Sequence, residues 1–200
     1  MQVAIPDLDS PAILNFNREV TTVEFEAFCA ANPDLRAELT AHGEITIMPP
    51  AGGESAYQSA DVCIQLGVWA KATRLGKAFD SSAAFVLPSG AILSPDAAWV
   101  ANQKLQQLTP AQRRRFLAIV PDFIVEVLSP SDRRAATEAK MLDWIASGVS
   151  LAWLIDGDAR TATIYRPHLP PETRSDILTI AAEGPLAGFT LDLTDIWAGL

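Results

Sequence analysis

The segment that most constrains this chain is residues 122–128, Asp-Phe-Ile-Val-Glu-Val-Leu. It is apolar almost throughout and rich in β-branched residues. Such a run is how a strand covered on both faces reads, because neither alternate set of side chains can face water. Residues 151–155, Leu-Ala-Trp-Leu-Ile, form a second run of the same kind. Strands of this type need layers above and below them. The chain has 200 residues, 49% of them hydrophobic and 20% charged. That suffices for one such core and fits one domain better than two. It also excludes disorder of the whole chain. The expected organisation is an N-terminal arm over residues 1–20 and a single domain over 21–200.

The remaining pattern is mixed. Thr21 and Glu24 have capping-box spacing and predict a helix over 22–31, stopped before Pro33. Residues 34–41 read as a further turn of helix. Residues 44–48 alternate as a strand, and the prolines and glycines at 49–53 end it. A proline-free stretch from 55 to 75 reads as a long buried helix that stops at Gly76. Short strands follow over 78–87, 91–93 and 96–100. Thr109 and Pro110 predict a helix over 110–118. An amphipathic helix is expected over 132–147. Asp156-Gly157-Asp158 is a hairpin turn into a strand over 161–165. A strand over 177–181 and a closing segment over 191–197 complete a mixed α/β unit without regular βα alternation.

Glu126 is the anomaly in the first run. An unpaired carboxylate buried in a strand costs several kcal/mol, so it requires a cation, either from the chain or as a metal. Asp96 is comparable, entering Ala97-Ala98-Trp99-Val100 directly after Pro95. Lys140 lies on the helix after the Glu126 strand among small and apolar neighbours. That helix folds back along the sheet and can bring the ammonium to the carboxylate. Two carboxylates and a lysine suit divalent-metal hydrolysis of phosphodiesters. Hard oxygen ligands hold Mg²⁺ and leave it most of its waters. The ion acidifies a bound water and neutralises phosphate charge, while a lysine orients the water or stabilises the transition state.

Other chemistries are short of residues. The two histidines, His42 and His168, leave no basis for a histidine-built zinc site or a Ser-His-Asp triad. Cys29 and Cys63 have no metal-type spacing and read as small apolar residues of helices. The N-terminus lacks the basic and apolar regions of a targeting segment, and no run approaches a membrane span. A cytoplasmic protein with no membrane partner is expected.

Several short segments taken together resemble one family. They are Glu38-Leu39 with Gly43-Glu44-Ile45 and Met48-Pro49-Pro50-Ala51-Gly52, then Phe79-Asp80-Ser81-Ser82 and Leu93-Ser94-Pro95-Asp96-Ala97. Pro121-Asp122-Phe123, Glu126 to Asp132, Ala139-Lys140-Met141, Trp153-Leu154-Ile155, Ile164-Tyr165-Arg166-Pro167 and Gly188-Phe189 continue the series. In order and spacing they resemble the Uma-two, or putative restriction endonuclease, family over about residues 20–197. That family belongs to the PD-(D/E)XK nuclease superfamily. The resemblance implies a restriction-endonuclease-like central mixed sheet flanked by helices, and a DNA endonuclease dependent on Mg²⁺ or Mn²⁺. It implies that Asp96, Glu126 and the Val127 carbonyl hold the metal, that Lys140 serves the water, and that Glu38, on the early helix, is an additional acid. A homodimer would suit double-strand cutting by two symmetric sites.

One position departs from the superfamily pattern. The lysine expected two residues after the glutamate is replaced by Leu128, and Lys140 resembles a lysine displaced onto the next helix. That departure, with the acidic balance, favours a rival reading: a nuclease-like fold retained as a nucleic-acid-binding or protein-interaction module. A third reading is a metal-dependent hydrolase of another phosphate ester.

Charge distribution weighs on the same choice. The net charge of −9 opposes nucleic-acid binding when taken as a sum. Residues 104–140 nonetheless hold 7 basic and 4 acidic residues, a local charge of +3, leaving −12 for the rest. Arg113-Arg114-Arg115 and Arg133-Arg134 lie in that basic stretch and could meet phosphate.

Overall fold

A computed structural model describes residues 11–16 and 18–200. In chain order its elements are β1 (Ala12–Leu14), α1 (Thr22–Ala31), β2 (Arg36–Leu39), β3 (Ile45–Met48), α2 (Gly53–Thr73), β4 (Gly76–Asp80), β5 (Phe85–Val86), β6 (Ile92–Leu93) and β7 (Ala97–Ala101). They continue as α3 (Asn102–Leu105), β8 (Phe123–Leu128), α4 (Arg134–Ala146), β9 (Leu151–Asp156), β10 (Thr161–Tyr165), β11 (Glu172–Ser175), β12 (Thr179–Ala181), β13 (Thr190–Asp192) and α5 (Thr194–Ala198). The mixed α/β class expected from the sequence is what forms.

The two apolar runs, β8 and β9, lie side by side and parallel at the centre of a six-stranded sheet ordered β11-β10-β9-β8-β7-β4. The other pairs described in this sheet are antiparallel. A parallel pair cannot be joined by a hairpin, and α4 provides the crossover. Alternation along β8 divides its side chains. Phe123, Val125 and Val127 enter a cluster with Val62, Leu66 and Ala70 of α2. Ile124 enters the opposite cluster with Met141 and Trp144 of α4. Glu126, in step with Ile124, therefore faces α4.

A second sheet, ordered β1-β3-β2-β6-β5, is antiparallel and packs α1 against its own core of Phe25, Phe28, Leu39, Ile45, Ile47 and Ile92. Strands β12 and β13 form a small separate ribbon. The capping box at the start of α1 forms as its spacing predicts: the Thr21 side chain accepts from the Glu24 amide, and the Glu24 carboxylate accepts from the Thr21 amide.

Several expectations are corrected. Residues 34–41 are not helical. Arg36–Leu39 is a strand that pairs with β3 around a turn in which Gly43 has a φ of +75°. The expected 78–87 strand is broken in two, because Asp80 accepts from the Ser82 amide and turns the chain out of the central sheet. The 110–118 helix stops after a single 3₁₀ turn at Gln112–Arg114. Thr109 and Gln112 do cap each other. Leu117 then bonds with Ala84 and Val86, and this pulls the chain against β5. Strand β11, exposed along its whole length, was not expected. The expected arm falls largely outside the described residues, but Ala12–Leu14 within it joins β3 as an edge strand. Among the described residues, no helix is long and apolar enough to cross a membrane.

Candidate functional site

Strands β7 and β8 pair with Ala97 opposite Val125. Continued by one residue, that register sets Asp96 beside Glu126, on the face of the central sheet that α4 covers. The Val127 amide donates to Asp96 Oδ2 at 2.8 Å and fixes the carboxylate there. A residue's N–H and C=O point to the same side of an extended strand. The Val127 carbonyl therefore also points toward Asp96, beyond the start of β7.

Helix α4 supplies the next two groups. Lys140 and Trp144 are four residues apart, hence on one face, and both reach the same oxygen. Lys140 Nζ lies 2.8 Å from Glu126 Oε1, and Trp144 Nε1 donates to that oxygen at 3.2 Å. The second sheet supplies a fifth group. Glu38 Oε1 accepts from Lys140 Nζ at 2.9 Å and from the Ser94 amide at 2.7 Å. Lys140 also donates to the Ser94 carbonyl at 3.4 Å. Glu38, Asp96, Glu126 and Lys140 thus meet, with Glu38 brought by strand β2 and not by the helix expected from the sequence. Glu38 and Glu126 are 5% and 7% exposed, so three carboxyls crowd a single ammonium in a place poor in water.

The electrostatics follow from that crowding. Burial pushes the Glu126 carboxyl up to about 8, although Lys140 pulls the other way. Burial also raises the Asp96 carboxyl, opposed by the Val127 amide and by the charges of Lys140 and Arg36. For Lys140, burial works against the ammonium, but Glu126 and Glu38 outweigh it and hold its value above the ordinary lysine range. Lys140 is consequently a permanent cation and a hydrogen-bond donor.

Among the described residues, Asp96 Oδ1 and Glu126 Oε2 take no hydrogen bond or ion pair. Among the described residues, no group of three or more His, Cys, Asp or Glu side chains is arranged to hold a metal. Any ion here would rest on two carboxylates and a carbonyl.

Sequence reasoning missed two neighbours. Trp144 is buried in the core, and it also holds Glu126. Its spacing from Lys140 was the available signal. Arg36, two residues before Glu38 and so on the same strand face, acts electrostatically on Asp96. Gln58, at the start of α2, lies apart and donates to the Ile196 carbonyl.

The mixed central sheet with its parallel pair, covered by helices on both faces, can be set beside known structures. The structure matches the crystal structure of a "putative nuclease belonging to DUF820" from Anabaena variabilis ATCC 29413 with a TM-score of 0.74. Sequence identity is 21%, over 90% of this chain and 98% of that one. The chain belongs to the Uma2 family, described as "Putative restriction endonuclease", whose profile matches residues 22–194. No curated protein matches it.

Proposed function

We propose that this protein is a metal-dependent endonuclease that hydrolyses DNA phosphodiester bonds. The observation that carries this reading is the meeting of Glu38, Asp96, Glu126 and Lys140, residues from two sheets and a helix, around one ammonium. Membership of a family described as restriction endonucleases supports it. The donor set fits Mg²⁺ or Mn²⁺: hard oxygens only, a surplus of carboxyls over ammonium, and one oxygen on each of Asp96 and Glu126 left over. Asp96, Glu126 and the Val127 carbonyl would hold the ion. Bound there, it would supply Lewis acidity to a water and neutralise charge on the phosphate.

The side chains divide the remaining work. Lys140 is held above the ordinary lysine range, so it acts as a donor and not as a base. It orients the attacking water and balances negative charge on the phosphorus centre. Glu38 grips Lys140 from the opposite side to Glu126 and keeps the ammonium over the site. Trp144 fixes Glu126 Oε1 and so leaves Oε2 directed elsewhere. Cutting both strands of a duplex would follow from a symmetric pair of copies.

The test is cleavage of supercoiled, linear and single-stranded DNA by pure protein, with and without Mg²⁺ or Mn²⁺, beside Asp96→Ala, Glu126→Ala and Lys140→Ala. Metal-dependent cleavage lost in all three variants is expected. Cleavage that persists in all three sinks the site. Absence of cleavage on every substrate would favour a binding module instead.

A further inference from the structure

A groove of about 560 Å³ opens between α1, the segment after β4 and the turn 113–117. Cavities of this scale hold ligands of nucleotide size. One wall is α1, through Glu26 and Cys29; the other is the end of β4, through Phe79 and Ser82. The turn 113–117 closes it with three arginines and Phe116. With Glu26 as the acid among its lining residues, the groove carries a net charge of +2 on a chain of −9.

The three arginines differ in what they are doing. Arg113 is committed to the chain, donating to the Leu108 and Leu105 carbonyls. Arg115 is ion-paired with Glu26. Arg114 is exposed, and its side chain makes no hydrogen bond or ion pair among the described residues.

The groove is tied to the site through the fold. Ser82 bonds to Asp80, and Asp80 pairs with Ala97, the residue next to Asp96. Phe79 packs on Phe85 at 5.8 Å, and Phe85 packs on Trp144 at 6.3 Å, the residue that holds Glu126. Groove and carboxylates therefore lie on the same face of the central sheet, toward the same strand ends.

We propose that this groove seats the phosphodiester backbone of the DNA strand beside the bond to be cut, with Arg114 and Arg115 on its phosphates and Phe79 and Phe116 against its sugars or bases. Cationic side chains interleaved with aromatics are how single strands are held irrespective of sequence. Glu26 opposes this binding, because an incoming phosphate must compete with it for Arg115. The inference rests on the nuclease reading above.

The experiment is fluorescence anisotropy of a short labelled DNA, single-stranded and duplex, in metal-free buffer across a salt series. Arg114→Ala should weaken binding several-fold and lower the salt slope by about 0.7–0.9, the share of one phosphate contact. Adding Arg115→Ala should roughly double the drop. Glu26→Gln should tighten binding, and Arg174→Ala, remote on β11, should leave it unchanged. In metal-loaded cleavage, Arg114→Ala should raise KM and spare kcat, with an unaltered melting temperature. Cleavage by the wild type, combined with affinity and salt slope unmoved in Arg114→Ala/Arg115→Ala, overturns the groove alone. A wild type that neither binds nor cuts DNA overturns the nuclease reading with it.

Discussion

The two faces of β8 contrast sharply although they share one backbone. Toward α2, Phe123, Val125 and Val127 meet Trp153 and Phe189, and nothing charged interrupts the packing. Toward α4, Ile124 is followed by Glu126, and the packing gives way to an ion-paired cluster with Lys140 and Glu38. The first face gains free energy from every buried atom. The second spends some of it on desolvated charge, which a well-packed apolar replacement would avoid. A strand read with period two can thus place stability on one side and chemistry on the other, one residue apart.

The contrast can be broken most severely from the apolar side. Trp153→Ala, at a fully buried ring, should cost about 3–5 kcal/mol, read by denaturant unfolding, with the cost alike at pH 6 and pH 9. Lys140→Met should cost about 3 kcal/mol at pH 9, because removing one partner leaves buried carboxylates uncompensated. That cost should shrink toward pH 5, where protonation relieves it. A loss independent of pH would show that Lys140 contributes packing alone.

The wild type should carry a milder version of this dependence. Glu126 rises from an ordinary value of 4.5 to about 8 on folding, so the folded state binds the proton more tightly. The stability it contributes is complete below about 4.5 and is lost as pH rises through 8. Thermal melts should fall between pH 6 and pH 9, and Glu126→Gln should flatten that fall. Mg²⁺ should raise the melting temperature more at pH 8 than at pH 6, since the ion displaces the proton. The smallest effect is expected for Trp144→Phe. It keeps most of the buried ring and removes one hydrogen bond to Glu126, a loss of about 1.5 kcal/mol, accompanied by weaker Mg²⁺ binding.

Much of this was legible in the chain. The two central strands announced themselves as short apolar runs, though not their parallel pairing, and Glu126 through being charged inside one of them. Lys140 could be brought to Glu126 because the helix after a strand folds back along the sheet, whereas Asp96 was joined to them only through the family resemblance. Glu38 could be named but not placed. Four residues such as Arg36–Leu39 fit a turn of helix or a strand equally well, and the choice was made by β3, which supplies the ladder. The 110–118 segment carries a genuine helix start, yet β5 captured Leu117 before a second turn could form. Strand β11 was silent because all four of its residues face water and nothing in them alternates.

The tie between Lys140 and Glu38 spans 102 positions of sequence. Closing so long a loop is entropically costly and is repaid only when both sheets have docked. A chain growing from its N-terminus holds Glu38 early, then Asp96, then Glu126, and each waits. Only after α4 has emerged and folded back does the ammonium arrive that joins them. The cluster thus cannot form before residue 140 has emerged, and a shorter nascent chain carries its acidic side chains without the assembled centre.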